Sequence, residues 1–276
     1  MTDTLDAKQW ALDHSPDALK GRKIAVAYGG GSNSTALLLR FHELGIVPNL
    51  ILFADTGGER PDVYTGIEQL NAWLPTVGMP EIIVVRKGGM QETLEENCLR
   101  KGMLPSIAYG FKSCSEKYKI RAQDKFCNNF DLFREAWKSG EKIVKVIGYD
   151  AGEERRAKIK ANEKYDYWYP LLEWGWYREE CVAIIERYGF TPVKSSCFFC
   201  PSMTKPEILA LRDNNPDLLE RALAMEDNAK ANLQTVKGLG RRFNWREFLE
   251  SVKNGEVPKD VYADRTETPC GCYDGE

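Results

Sequence analysis

Between the apolar run Lys23-Ile-Ala-Val-Ala-Tyr28 and a helical pattern that ends at Leu44 lies the segment Gly29-Gly30-Gly31-Ser32-Asn33-Ser34. A strand that turns through three consecutive glycines straight into a helix admits few folds. The apolar run has the character of a buried parallel strand. Glycines let the main chain bend and approach a neighbour closely. Successive N–H groups, with the positive end of the following helix, make an anion site. Ser32, Ser34 and Thr35 add hydroxyl donors, so phosphate is the natural guest. The competing reading is a plain glycine turn without a ligand. The segment lacks the Gly-Lys-Ser/Thr ending of lysine-bearing phosphate loops. Nor does it match the G-x-G-x-x-G spacing of dinucleotide folds.

The alternation continues downstream. Strands are predicted at Asn49–Ala54, Glu81–Val85 and Lys142–Ile147, with helices at about 62–73 after Pro61, around 91–98 and within 115–137. Strands alternating with helices imply βαβ units and a parallel sheet. Beyond residue 165 helices dominate, at about 176–188, 204–212, 216–234 and 244–253, broken by a cysteine-bearing loop at 190–203. The expected organisation is an α/β domain over residues 1–165 and a helical, cysteine-bearing region over 166–276 packed on it as one unit. A short amphipathic helix is expected at 5–14. At 276 residues the core needs no disulfide scaffold.

Composition narrows the function. A net charge of −3 disfavours wholesale coating of nucleic acid. No apolar run approaches the roughly 18–20 residues of a membrane span, and Met1–Trp10 lacks the plan of a signal peptide. A cytoplasmic location is expected, where the eight cysteines serve metal binding, redox chemistry or packing rather than disulfides. With only His14 and His42 present, a histidine-based metal site or triad is disfavoured.

Four segments, in order along about residues 20–200, resemble the phosphoadenosine phosphosulfate reductase family. Gly29–Ser34 is similar to the S-G-G-x-D-S loop of PP-loop enzymes, which bind and often cleave adenine nucleotides. Asp55-Thr56-Gly57 with Pro61 and Tyr64 resembles the family's D-T-G-x-x-x-P-x-x-Y segment. Val146–Arg156 stands where the family has a strand ending in G-x-R-x-x-E, and Tyr169–Trp174 resembles Y-P-L-x-x-W. The chain also departs from the pattern. Gly29 replaces the first loop serine, Asn33 the loop aspartate and Asp150 the arginine. The Glu-Cys-Gly-Leu-His ending is reduced to Cys270-Gly271.

The resemblance implies an adenine nucleotide alpha-hydrolase-like fold, a parallel-sheet three-layer α/β sandwich, with the nucleotide across the carboxyl ends of the strands. It assigns Gly29, Gly30, Gly31, Ser32, Asn33 and Ser34 to the phosphates of ATP or an adenylyl sulfate. Asp55, Thr56 and Gly57 would line the nucleoside pocket, and Gly148 would allow close main-chain approach. Arg155 or Arg156 would meet a phosphate or sulfate bidentately. The implied activity is sulfonucleotide reduction, with a thiol reductant protein, or nucleotide-dependent sulfur transfer to an acceptor such as tRNA or DNA.

Cys197-Phe198-Phe199-Cys200-Pro201 places two thiolates within reach of one metal, and proline after the second cysteine occurs in iron–sulfur ligation. Cys114, before a basic helix, resembles a cysteine of sulfurtransferase-type relatives. Cys114, Cys197 and Cys200 are the expected metal ligands; Cys272, Cys270, Cys98 or an open position completes the set. The resemblance favours a [4Fe–4S] cluster, while thiolates alone suit zinc equally. Cys127 and Cys181 read as buried small hydrophobes. Cys270 and Cys272, in a glycine-containing tail, are the candidate catalytic thiols, closing over the nucleotide or completing the cluster. The basic stretches 112–125 and 155–164 read as solvated faces or as a polyanion surface. The alternative function is a non-catalytic nucleic-acid-binding or nucleotide-sensing protein with a structural zinc.

Overall fold

The computed structural model describes residues 17–89, 92–159 and 161–256. The helix expected at 5–14 and the tail thiols Cys270 and Cys272 lie outside the described residues. Five parallel strands form one sheet in the order β3-β2-β1-β4-β5: β1 (Ile24–Tyr28), β2 (Leu50–Asp55), β3 (Ile82–Arg86), β4 (Ile143–Ile147) and β5 (Tyr165–Trp168). Val26 pairs with Ile51 on one side and Val146 on the other. The first three strands step outward in one direction, and β4 returns to the far side of β1. The chain therefore reverses its winding between β1 and β4, where open α/β sheets bind ligands.

The sheet is a three-layer sandwich because its two faces read differently along each strand, as the period of two requires. On one face Ile24, Val26, Ile51, Phe53, Val144 and Val146 pack under α1 (Ser32–Leu44), α2 (Pro61–Trp73) and α8 (Arg178–Arg187). On the other, Ala25, Leu50, Leu52 and Ile143 meet α5 (Arg121–Asn129) and α6 (Asp131–Lys138). All six residues of β2 are buried. Each large aliphatic side chain buried in this way contributes about 1.5–3 kcal/mol.

The expected boundary at 165/166 falls at the start of β5, which the sequence pattern missed. The aromatic residues Tyr165 and Trp168 belong to this edge strand, and Trp168 stacks on Phe41 of α1 at 5.3 Å. Pro170–Glu173 forms a one-turn helix, α7, and α8 then returns to pack along α1. After α8 the chain leaves the sheet. There α9 (Lys205–Asn214), α10 (Pro216–Ala229) and α11 (Trp245–Lys253), with α3 (Leu94–Lys101), enclose a second apolar core that contains Cys197-Phe198-Phe199-Cys200. The α3 helix comes from the first half of the chain, so the helical region is not a separate C-terminal unit.

Within this core, Glu226 fixes the loop before α11. Its buried carboxylate accepts the N–H groups of Leu239 at 2.7 Å, Trp245 at 3.1 Å and Arg246 at 3.2 Å. No helix among the described residues is long and apolar enough to cross a membrane.

Candidate functional site

A cavity of about 920 Å³ opens at the carboxyl ends of β1 and β4. Its floor is the glycine segment: Gly29, Gly31, Ser32, Asn33 and Ser34 all line it. Gly30 instead turns beneath. It has φ +76°, and an added Cβ would lie 2.8 Å from both Phe53 Cε2 and Val63 Cγ1, so only glycine fits. Gly31 caps α1 without any side-chain hydrogen bond, and no acidic residue occupies the first turn of that helix. Thr35 N–H returns to the Gly31 carbonyl at 3.0 Å. Among the described residues the N–H groups of Gly29, Gly30, Gly31, Asn33 and Ser34 have no main-chain partner. Ser32 differs, since its N–H donates to the Val193 carbonyl at 2.8 Å and its hydroxyl to the same oxygen at 3.0 Å.

Gly148 approaches protein rather than ligand with its α-carbon. An added Cβ there would stand 3.3 Å from the main-chain N and Cα of Ser34. The residue lines the cavity and lets the end of β4 press against the first turn of α1.

Two of the departures from the reductase pattern, Asn33 and Asp150, meet each other. Asn33 Nδ2 donates to Asp150 Oδ2 at 2.9 Å and to Glu153 Oε2 at 3.0 Å. Asp150 also caps the short 3-10 turn Ala151–Arg156 by accepting from Gly152 N–H at 2.9 Å. Burial pushes the Glu153 carboxyl up, against the pull of Arg156. Arg156 lines the cavity, is ion-paired to Glu153, and lies over the Tyr149 ring at 4.4 Å. Arg155 is exposed and does not line the cavity. Of the two arginines, only Arg156 reaches the site.

Asp55, Thr56 and Gly57 do not line the cavity either. The Asp55 carboxylate is taken up internally. It accepts Gly57 N–H at 2.7 Å, the Tyr64 hydroxyl at 2.9 Å and Arg86 Nε at 2.7 Å. Gly57, at φ +78°, presses its α-carbon against Thr93, the N-cap of α3. Thr56 points to the second core, where its hydroxyl lies 3.2 Å from Cys197 Sγ.

Two residues that the sequence did not single out connect cavity and thiols. Lys119 lines the cavity, and its ammonium pairs with Glu59 Oε1 at 3.2 Å. Glu59 has a side-chain exposure of 0%, pairs in an isolated antiparallel bridge with Cys197, and accepts from Cys197 Sγ at 3.8 Å. Burial alone would lower the Lys119 ammonium, but Glu59, Cys197 and Cys200 together lift it above the ordinary lysine value. The reading of residues 112–125 as a solvated or polyanion face fails at Lys119. A π-helical segment, Glu116–Ile120, shifts the side-chain period just there.

Cys114, Cys197 and Cys200 belong to one buried neighbourhood, with Cys98 of α3 in the same apolar cluster. Cys114 is half-buried, its N–H donating to Ser106 Oγ at 2.8 Å. Among the described residues, no three thiol, imidazole or carboxylate groups converge closely enough to hold one metal ion. By donor chemistry alone, thiolates suit zinc and an iron–sulfur cluster alike. Two buried hydroxyls beside the thiols, Ser115 Oγ and the Tyr118 phenol, have no hydrogen-bond partner among the described residues, and such donors suit cluster or thiolate sulfur as acceptor. Cys127 and Cys181 are each fully buried in a helix layer of the sheet, as small apolar side chains.

No family model matches the sequence, and no curated protein matches it. Among solved structures, the U34-tRNA thiolase NcsA from Methanococcus maripaludis with its [4Fe-4S] cluster is similar at 15% identity, covering 87% of this chain and 83% of that chain with a TM-score of 0.42. That likeness is too loose to bear on this chain's activity.

Proposed function

We propose that this chain is an adenine-nucleotide-binding enzyme of sulfur chemistry, a nonstandard relative of the phosphoadenosine phosphosulfate reductase family. The observation that carries the reading is the uncapped first turn of α1. Main-chain amides without protein partners face a large cavity at the point where the sheet reverses its winding. An anion placed there meets N–H donors and the positive end of a 13-residue helix together. The main-chain amides of Gly29, Gly31, Asn33 and Ser34 would bind the phosphates, with Gly30 and Gly148 shaping the floor; both donors of Ser32 are taken by the Val193 carbonyl and the Ser34 hydroxyl by the Gly31 carbonyl. Arg156 would turn from Glu153 toward the ligand's anionic end.

Two reaction courses fit such a cavity beside thiols. In sulfur transfer, an acceptor oxygen attacks the α-phosphorus of ATP and pyrophosphate leaves. A sulfide sulfur then displaces AMP from the acceptor, or a persulfide's outer sulfur does so and a second thiol frees the thiolated acceptor by closing a disulfide with the persulfide-bearing cysteine. In reduction, a thiolate attacks the sulfur of an adenylyl sulfate, the nucleotide leaves, and a second thiol releases sulfite as the disulfide closes. Cys270 and Cys272 are the candidate thiols for that course. A cluster bound by Cys114, Cys197 and Cys200 would supply an iron able to hold inorganic sulfide. Lys119 would hold positive charge between that centre and the nucleotide, with Glu59 orienting it.

Calorimetric titration with ATP, adenylyl sulfate and its 3′-phosphate tests the reading. One of them should bind with micromolar affinity or better, and binding of none would refute it. Release of AMP and pyrophosphate, against release of sulfite, then chooses between the courses.

A further inference from the structure

The turn between β1 and α1 carries no cation of its own, since Gly29–Ser34 holds only glycines, serines and Asn33. Folding brings one to it. We propose that Arg60 binds the second anionic group of a phosphate or phosphosulfate chain whose first group rests on the α1 amides. The site then takes nucleotides with at least two consecutive anionic groups and discriminates against AMP; this rests on the nucleotide reading above.

Arg60 reaches the turn from two directions. It is the N-cap of α2, and its carbonyl accepts Val63 N–H at 3.0 Å. Val63 in turn packs against Gly30, where an added Cβ would meet its Cγ1 at 2.8 Å. From the other side, Arg60 Nη2 donates to the Lys194 carbonyl at 2.9 Å. Lys194 lies between Val193, whose carbonyl takes both donors of Ser32, and Ser195, which crowds Gly31. Arg60 and the turn line the same cavity.

The guanidinium is held in place but not satisfied. Nη2 serves the Lys194 carbonyl and Asp62 Oδ2, each at 2.9 Å. Nη1 makes no hydrogen bond among the described residues, and Nε is buried without a partner. Most donors of the planar fork are therefore unused. Three other cations of the cavity are more firmly engaged. Lys119 pairs with Glu59, Lys194 with Glu207 and Arg156 with Glu153, carboxylates whose side chains are at most 18% exposed. The Asp62 side chain is 49% exposed, and an ion pair so open to water holds its cation weakly. Arg60 also stands at the positive end of α2, a position unfavourable to a cation. An incoming anion offsets that repulsion while meeting the α1 amides and an oriented guanidinium together.

The test is calorimetric titration of the full chain with AMP, ATP and adenylyl sulfate. Wild type should bind ATP or adenylyl sulfate about tenfold or more tighter than AMP. Arg60→Gln, checked for folding by circular dichroism, should weaken that tighter ligand by about ten- to a hundredfold. It should change AMP affinity by about twofold at most, as a group remote from the ligand would. Arg60→Lys should restore part of the loss. A purely structural role would weaken all three ligands alike, so the ratio of affinities is the deciding readout. In wild type, inorganic pyrophosphate should protect Arg60 from phenylglyoxal while exposed Arg155 still reacts, read by peptide mass spectrometry; this needs no variant. Equal losses for every ligand, unchanged affinity in Arg60→Gln, AMP bound as tightly as ATP and adenylyl sulfate, or no protection of Arg60 would each overturn the assignment while leaving the nucleotide reading intact. A wild-type chain that binds none of the three would end both.

Discussion

The Val193 carbonyl oxygen accepts both donors of Ser32, its N–H at 2.8 Å and its hydroxyl at 3.0 Å. Through this double bond the strand-to-helix turn holds the segment that leads, four residues later, to Cys197. Ser195 completes the contact, since an added Cβ on Gly31 would stand 2.9 Å from its hydroxyl oxygen and 3.2 Å from its main-chain nitrogen.

Gly31→Ala should therefore displace this strap. The added methyl meets main chain as well as side chain, so a cost of about 1–3 kcal/mol is expected from overpacking. Nucleotide affinity should fall by about tenfold or more if a comparable penalty enters binding. Urea unfolding and calorimetric titration read the two effects. Unchanged affinity would show that the strap does not shape the phosphate site.

Asp55 offers a contrasting case. Its carboxylate joins Gly57, Tyr64 and Arg86, all within the protein. Asp55→Ala should cost about 3 kcal/mol or more, because it orphans donors around a buried position. At temperatures where the variant stays folded, nucleotide affinity should change less than in Gly31→Ala. A selective loss of binding with no loss of stability would place Asp55 at the ligand after all.

Lys119→Met removes the ammonium that balances buried Glu59. Breaking a buried pair from one side costs about 3–5 kcal/mol, and Glu59 Oε2 already lacks a partner among the described residues. Thermal melting should show the loss. The double variant Lys119→Met/Glu59→Gln should recover a large part of it, with a coupling of about 1–3 kcal/mol. Simple additivity would mean the pair is not coupled.

Alkaline pH should destabilise the metal-free chain. Burial holds Cys98 and Cys181 at about 12, and Cys197 and Cys200 also above the ordinary value of 9.0. Between pH 9 and about 12 the folded thiols keep protons that the unfolded chain has released, so unfolding is favoured as pH rises. Lys119, raised by Glu59, acts in the same direction above its ordinary value of 10.5. Denaturant midpoints measured from pH 8 to 10.5 should fall steadily, and Cys181→Ala should reduce the slope. A flat profile would contradict this.

Much of the scaffold could be read from periodicity. Strands β1 to β4 were legible as short apolar runs bounded by turn residues, each placed within a residue of its observed limits. The edge strand β5 was not legible, because Tyr165-Asp166-Tyr167-Trp168 has too little aliphatic character to stand out from an aromatic loop. The glycine turn was legible because its conformation is local: φ +76° at Gly30 is written in the residue type. Asp55 and Thr56 could not be placed from the sequence, because the resemblance implies a nucleoside pocket while Asp is equally at home in a turn. Only the position of Arg86 on the neighbouring strand decides which donors reach the carboxylate.

The amino-acid order by itself determined the parallel α/β sheet, the glycine turn between β1 and α1 and the thiol content, since each depends on neighbours within a few residues. The tertiary structure alone decided which groups meet. It set Asn33 against Asp150 across 117 positions, turned Lys119 inward onto Glu59, and buried Cys98 in the same apolar core as Cys197 and Cys200. Those encounters depend on how separate helices pack, and packing is fixed by the shape of the whole core rather than by any local pattern.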